Sequence, residues 1–238
     1  MKQPEIQALR FQNMSYGYEG SALLFEGTNF EFPMFQTVWI HAPGGHGRSS
    51  LLQIMAGLLG PTNGKYFLND IDVGEMTFEE FLPYRLKIGY GFDFGGLLNN
   101  KTVLENLTLP LLYHKILSYD EAKVRACEYL GFLGLLRYKD QRPAVVPGGV
   151  RKLTCMIRAL ILHPEVLLLD DPSVGMNEET VLKYFDLVRM VKERDALQHV
   201  FISSFDSKLL NMLGAKEVII SENKLYLNEL ETKFVVNG

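Results

Sequence analysis

At 238 residues, with 47% hydrophobic and 22% charged, the chain suits one large domain or two intimately joined lobes around a sizeable core. A net charge of −4 with no lysine- or arginine-rich tract gives nucleic-acid binding little electrostatic support, so no nucleic-acid partner is expected. Cys127 and Cys155 sit in helical patterns without metal-ligand spacing, as buried thiols of a reducing compartment would. No uncharged apolar run reaches the roughly 18 residues of a membrane span. Met1-Lys2-Gln3-Pro4-Glu5 lacks a signal-peptide pattern, so the reading is cytoplasmic.

Residues 6–40 read as short antiparallel strands. Ala8-Leu9-Arg10-Phe11, Leu23-Leu24-Phe25 and Asn29-Phe30-Glu31-Phe32 are separated by Gly17, Gly20, Gly27 and Pro33. Tyr16 and Tyr18 fall in the first turn, either as ordinary strand-end aromatics or as rings on which a purine stacks. The apolar run Thr37-Val38-Trp39-Ile40 leads into Ala42-Pro43-Gly44-Gly45-His46-Gly47-Arg48-Ser49-Ser50, and Leu51-Leu52-Gln53-Ile54-Met55 opens a helical pattern. Strand, glycine-rich turn and helix start in that order make an anion site, because unpaired amide N–H groups converge there. The phosphate-binding pattern is G-x-x-x-x-G-K-[ST]. Here Ala42 stands at the first glycine and Arg48 at the lysine, while Gly45, Gly47 and Ser49 are in place.

A turn cluster, Gly60-Pro61-Thr62-Asn63-Gly64, precedes a strand-like Lys65-Tyr66-Phe67-Leu68. Glu79, Glu80 and Arg85 flank a helical piece, and the next apolar run, Lys87-Ile88-Gly89-Tyr90-Gly91-Phe92, ends at Asp93. From Thr102 to about Leu135 the periodicity is helical in at least two segments, split near Tyr113–Asp120. No parallel strand interrupts it, so 75–147 is expected to form a helical lobe between core segments 1–74 and 148–238. Pro143, Pro147, Gly148 and Gly149 punctuate the chain before a helix from Val150 to Leu162. The run Val166-Leu167-Leu168-Leu169 then ends in Asp170-Asp171, as a strand buried on both faces of a parallel sheet would. A helix over Glu178–Lys192 precedes strands at Val200-Phe201-Ile202-Ser203-Ser204 and Val218-Ile219-Ile220, with a short helix between them. Strands alternating with helices predict an α/β fold.

P-loop NTPases set an acidic residue at the end of a buried strand, where it helps hold Mg²⁺ with the P-loop hydroxyl. Asp170 and Ser49 fit those roles. In order and spacing, almost the whole chain resembles the ATPase subunit of ABC transporters. Asn13-Met14-Ser15-Tyr16-Gly17-Tyr18-Glu19-Gly20 is similar to that family's opening strand and adenine-stacking loop, with Tyr18 at the aromatic position. Ile88 to Asp93 resembles the approach to the Q-loop, and Thr102-Val103-Leu104-Glu105-Asn106-Leu107 the T-V-x-E-N-x helix start. Val146-Pro147-Gly148-Gly149-Val150 stands where the L-S-G-G-Q signature belongs, and Arg158-Ala159-Leu160 matches the end of A-R-A-L. Leu168-Leu169-Asp170-Asp171-Pro172-Ser173-Val174-Gly175-Met176-Asn177 lies on the Walker B and D-loop pattern, and Ser204-Phe205-Asp206 on the H-loop. Within the family, Phe94-Gly95-Gly96-Leu97-Leu98, the segment Asn106 to Leu111 and Val174-Gly175 look like the Mla/Mce-type ATPases of phospholipid transport.

The resemblance implies a P-loop NTPase fold: a RecA-like core, an N-terminal antiparallel β subdomain and a helical signature lobe. It implies ATP and Mg²⁺ as ligands, bound through Tyr18, Gly44, Gly45, His46, Gly47, Arg48, Ser49, Ser50 and Asp170. The departures bear on turnover. Arg48 replaces the P-loop lysine, Asp171 the catalytic glutamate, Asp93 the Q-loop glutamine and Phe205 the H-loop histidine. Pro147 replaces the signature serine and Asn177 the D-loop aspartate. Lysine-to-arginine is not conservative where a point charge fits a tight loop, and a misplacement of about 1 Å can cost ~10²-fold in rate. The expectation is a degenerate subunit with weak or no ATP binding and little or no hydrolysis, peripheral on the cytoplasmic face of the inner membrane. Its partners would be a membrane-spanning subunit and an intact second ATPase in a heterodimer. A slow but active ATPase and a nucleotide-independent scaffold are the alternatives.

Overall fold

The structure, a computed structural model, describes residues 5–44, 46–93, 96–194 and 197–228. The chain opens with β1 (Leu9–Tyr16) and β2 (Phe25–Glu31), which pair antiparallel. β3 (Thr37–His41) follows and leads through the glycine loop into α1 (Arg48–Met55). β4 (Asn63–Leu68) and the short β5 (Ile71–Asp72) return to the first sheet, whose order is β2-β1-β4-β5. Next come α2 (Phe78–Arg85) and β6 (Ile88–Gly91), then α3 (Val103–Tyr113) and α4 (Tyr119–Phe132). The chain continues through α5 (Gly148–Leu160), β7 (Val166–Asp170), α6 (Glu178–Arg194) and β8 (His199–Ser203). It closes with α7 (Ser207–Met212), β9 (Lys216–Ser221) and β10 (Lys224–Leu227).

The second sheet runs β10-β9-β3-β8-β7-β6, parallel throughout except for the antiparallel edge strand β10. The period of two along a strand assigns its residues to the two cores. Val38, Ile40, Val166, Leu168 and Phe201 face the antiparallel sheet and α1. Trp39, Leu167, Leu169, Val200 and Ile202 face α3 to α6. That is why β7 and β8 are buried along their whole length and read as unbroken apolar runs.

Helix starts are strongly specified on the lobe side. Thr77 with Glu80, Ser118 with Glu121, and Thr102 with Glu105 each form a capping box. Between β6 and β7 the regular elements among the described residues are helical. Close approach of α5 to β6 depends on Gly89: a Cβ there would lie 2.0 Å from the Ala159 carbonyl oxygen.

Several expectations are corrected. Tyr16 ends β1 rather than lying in a turn, and the expected strands at Leu23–Phe25 and Asn29–Phe32 are one strand, β2. The sequence splits there because bulges interrupt the alternation. Register shifts follow Phe11 and Met14, with Asn13 and Gly27 at φ 47° and 54°. The signature-region helix begins at Gly148 rather than Val150 and ends at Leu160. The edge strand β10 and the two-residue β5 were not expected; β10 completes a hairpin turned by Glu222 and Asn223, both at positive φ.

His199, fully buried at the start of β8, joins the sheet to the N-terminal segment. Its Nδ1 accepts from the Phe35 N–H at 2.7 Å, so Nε2 carries the proton it shares with the Ile6 carbonyl at 3.0 Å. Burial holds its pKa below the ordinary histidine value of about 6.5. The unfolded chain therefore takes up a proton that the folded chain refuses. This stability is fully present above about pH 6.5 and is lost as pH falls below it. Thermal midpoints measured from pH 8 to pH 5 should fall more steeply below that value for the native chain than for His199→Gln.

Candidate functional site

The parallel strands β3, β8, β7 and β6 lie side by side with their carboxyl ends aligned, the place where open α/β sheets bind ligands. Each strand end delivers part of one cluster. β3 leads into the glycine loop, where Gly47 adopts φ +85° and α1 begins at Arg48. A Cβ on Gly47 would lie 3.2 Å from the Phe25 ring, so the loop rests closely on the antiparallel sheet. Gly44 and His46 are exposed, whereas Gly45 lies outside the described residues.

Asp170 ends β7 and is buried. One of its oxygens accepts from Ser49 Oγ at 3.1 Å and from Ser203 Oγ at 2.5 Å; the other accepts from Tyr90 Oη at 3.4 Å. Burial pushes the Tyr90 phenol well above its ordinary pKa, with the Asp170 charge adding to the effect, so the phenol keeps the proton it donates. Meeting of Ser49 and Asp170 is the arrangement a Mg²⁺ site of this loop requires. Tyr18, half exposed, sits edge-on to Tyr16 and reaches Ser50 Oγ at 3.1 Å, so its ring stands beside the start of α1.

Arg48 turns towards Asp171. It is 4% exposed and forms a two-pronged pair with Asp171: Nη1 to Oδ1 at 3.0 Å and Nη2 to Oδ2 at 2.9 Å. The Phe205 ring lies against the guanidinium, 3.7 Å from Cζ to the ring centroid. Arg48 Nε is buried and has no acceptor among the described residues. Asp171 itself adopts φ +42°, a conformation that aspartate tolerates better than most residues. Its N–H donates to the Ser203 carbonyl and Oγ, at 2.9 and 3.1 Å. Burial raises its carboxyl pKa even though Arg48 favours the carboxylate, and the Asp170 and Asp93 charges raise it further.

Lys152 of α5 completes the assembly. Its Nζ donates to Asp93 Oδ1 at 2.6 Å and to the Asp171 carbonyl at 2.5 Å. A cleft of about 520 Å³ beside this bridge is lined by Asp93, Gly148, Gly149, Lys152, Val174 and Gly175. Pro147 is the N-cap of α5 and supplies no side-chain cap, leaving Gly148 and Gly149 at the helix start. Asn177 caps α6 instead, accepting from the Thr180 N–H at 2.8 Å.

Sequence reading missed Lys152, Ser203 and Tyr90 as members of the site. Ser203 had a usable signal, since it ends an apolar run of the same kind that delivers Asp170. Lys152 had none, because its partners Asp93 and Asp171 are distant in sequence and its charge resembles any helix-surface lysine.

A parallel sheet, a glycine loop entering a helix and a serine–aspartate pair at the strand ends define a nucleotide-binding domain of the P-loop class. Residues 25–174 match the ABC transporter family, and the chain belongs to that family through its ATP-binding domain. The lipoprotein-releasing system ATP-binding protein LolD of Bacteroides thetaiotaomicron is 35% identical over 77% of this chain and 83% of its own length. The methionine import ATP-binding protein MetN 1 of Acinetobacter baylyi is 29% identical over 93% of this chain and 62% of its own. Among solved structures, a dimeric ATP-binding cassette in a post-hydrolysis state bound to ADP and Pi superposes with a TM-score of 0.82 at 24% identity, covering 92% of this chain and 97% of that one. This likeness shows the fold. The expected α/β P-loop architecture is therefore borne out, with its antiparallel sheet against a mainly parallel one. Among the described residues, no helix is long and apolar enough to cross a membrane.

Cutting one partner from a buried ion pair typically costs about 3–5 kcal/mol, because the other charge stays behind unpaired. Arg48→Met should thus lower the unfolding free energy by a few kcal/mol at pH 8. The unpaired Asp171 carboxyl would have its pKa raised still further, so this variant should regain stability as pH falls. Denaturant titrations at pH 8 and pH 5.5 measure both effects.

Proposed function

We propose that this chain is an ATP-binding subunit of a membrane ABC transporter that retains the base of a Mg-nucleotide cradle but carries out little or no hydrolysis. The observation that carries this reading is the contact of Arg48, Asp171 and Phe205. They stand where the family motif has its P-loop lysine, catalytic glutamate and H-loop histidine. A P-loop cation normally reaches the β- and γ-phosphates; here it is committed to a carboxylate of its own chain. A base or water-orienting carboxylate must aim a lone pair at the attacking water, whereas the two-pronged pair with Arg48 fixes the orientation of the Asp171 carboxylate and takes one acceptor site on each oxygen. Phe205 offers no hydrogen bond to a phosphate. Losing one such contact commonly costs about 2.7–4 kcal/mol of transition-state stabilisation.

The phosphate base is better preserved. Ser49 and Asp170 would hold Mg²⁺, whose charge screens the phosphates when it is bound, while the loop amides and Tyr18 would hold the nucleotide. That retained pair supports the nucleotide-binding reading over a scaffold that never meets nucleotide. Asp93 is engaged in the same self-contained way, by Lys152.

ATP-binding subunits of this family pair with membrane-spanning components. We place the docking side on the helical lobe, 75–147, where Tyr113, Tyr119 and Val124 expose apolar surface; β6, in the same stretch, is a strand of the parallel sheet. A catalytically intact second ATPase would supply turnover. One composite site would then hold the partner's catalytic set, with Pro147 and Asn177 contributed by this chain. Lipid-related cargo is the reading favoured by the resemblance of Phe94 to Leu98, Asn106 to Leu111 and Val174-Gly175, of which Phe94 and Gly95 lie outside the described residues, and by the lipoprotein-releasing relative. It would sit on the cytoplasmic face of the inner membrane.

The purified chain should hydrolyse ATP no faster than a buffer blank. In the native complex, replacing the partner's catalytic carboxylate should stop turnover, while Asp171→Ala should change it by less than the roughly 10²-fold loss of a catalytic contact. Turnover by the isolated chain that Asp171→Ala abolishes would refute the reading.

A further inference from the structure

We propose that Asp171 is an autoinhibitory anion, its carboxylate occupying Arg48 in place of a phosphate, and that removing this carboxylate releases Arg48 to bind the diphosphate part of a nucleotide. The inference rests on the reading of this loop as a retained cradle without turnover. It adds what keeps that cradle closed.

Position comes first. Arg48 is the first residue of α1, immediately after the left-handed Gly47, so its stem starts at the mouth of the anion site. From there the guanidinium has turned to the end of β7 instead. Both Nη groups are held by Asp171, and one face is covered by Phe205. The charge that would attract a phosphate is neutralised within the chain.

This arrangement is held against identifiable costs. Among the described residues Arg48 Nε is buried without an acceptor, so the pose leaves a donor that a phosphate or water could satisfy in another rotamer. Asp171 occupies a left-handed backbone position, at φ +42°. Phe205 is 60% exposed, so the outer wall of the plug is a surface ring with room to swing away. The Asp171 carboxylate is thus the main attraction that keeps Arg48 from the loop.

Removing a carboxylate near a phosphate site also relieves simple repulsion, so the test must isolate the part that passes through Arg48. Mg-ADP and inorganic pyrophosphate are suitable probes, because an affinity gain for them cannot arise from blocked ATP hydrolysis. Their dissociation constants would be measured by calorimetry on the full chain for the native protein, Asp171→Asn, Arg48→Met and the double variant. Asp171→Asn should tighten binding by about tenfold in the native background, and the gain should disappear with Arg48→Met. No gain, or an equal gain in both backgrounds, overturns the proposal.

Phe205→Ala, a substitution at an exposed ring, gives a second reading should Asp171→Asn fail to fold. It should also tighten both probes, and unchanged affinity would count against the plug. ATP turnover assayed on the same samples separates the two levels. Turnover lost in Asp171→Asn would sink the non-hydrolytic reading, whereas binding results without turnover bear on autoinhibition alone.

Discussion

The site is organised around a buried guanidinium–carboxylate pair between the first residue of one helix and the residue after one strand. Arg48 and Asp171 are far apart in sequence and meet because β3 and β7 run parallel with only β8 between them. The intervening strand contributes as well. Ser203, its last residue, bonds both the Asp170 carboxylate and the Asp171 amide, and Phe205 follows two residues later to cover the guanidinium. Burial would make either charge costly alone, so each is tolerable only because the other is present.

That mutual dependence changes how the individual substitutions read. On the motif positions proposed for them, Arg48, Asp171 and Phe205 would each, taken separately, read as damage to a catalytic loop. Together, they satisfy one another: the shorter carboxylate meets a longer, forked cation, and a flat ring covers the flat face of that cation. Asp93 and Lys152 repeat the pattern nearby, and Lys152 also takes the Asp171 carbonyl. Arg48, Asp171, Asp93 and Lys152 thereby form an internal network of ion pairs and hydrogen bonds.

Much of the fold was legible in the sequence because its strongest signals are local. The aliphatic run before Asp170, the glycine loop and the helical stretch after Thr102 each announce their structure within a short window. What escaped was either irregular or non-local. Asn13 and Gly27 bulge β1 and β2 out of their alternation, so one strand was read as two. β10 is a short edge strand made by a hairpin rather than by a long apolar run. At the site, the residue types could be placed on motif positions, but the direction of the Arg48 side chain and the part played by Lys152 depend on strands brought together by topology.

Gly47 lies where the two sheets come together. A methyl group there would meet Phe25 of the antiparallel sheet at 3.2 Å and Ile220 of the parallel sheet at 3.8 Å. The same seam is stitched from the hairpin end, where the Asn223 carbonyl accepts from the Glu26 amide. The phosphate loop therefore acts as a keystone wedged between two vaults: a shift of either sheet moves its floor, and the geometry offered to an anion is set partly by strands that never touch one.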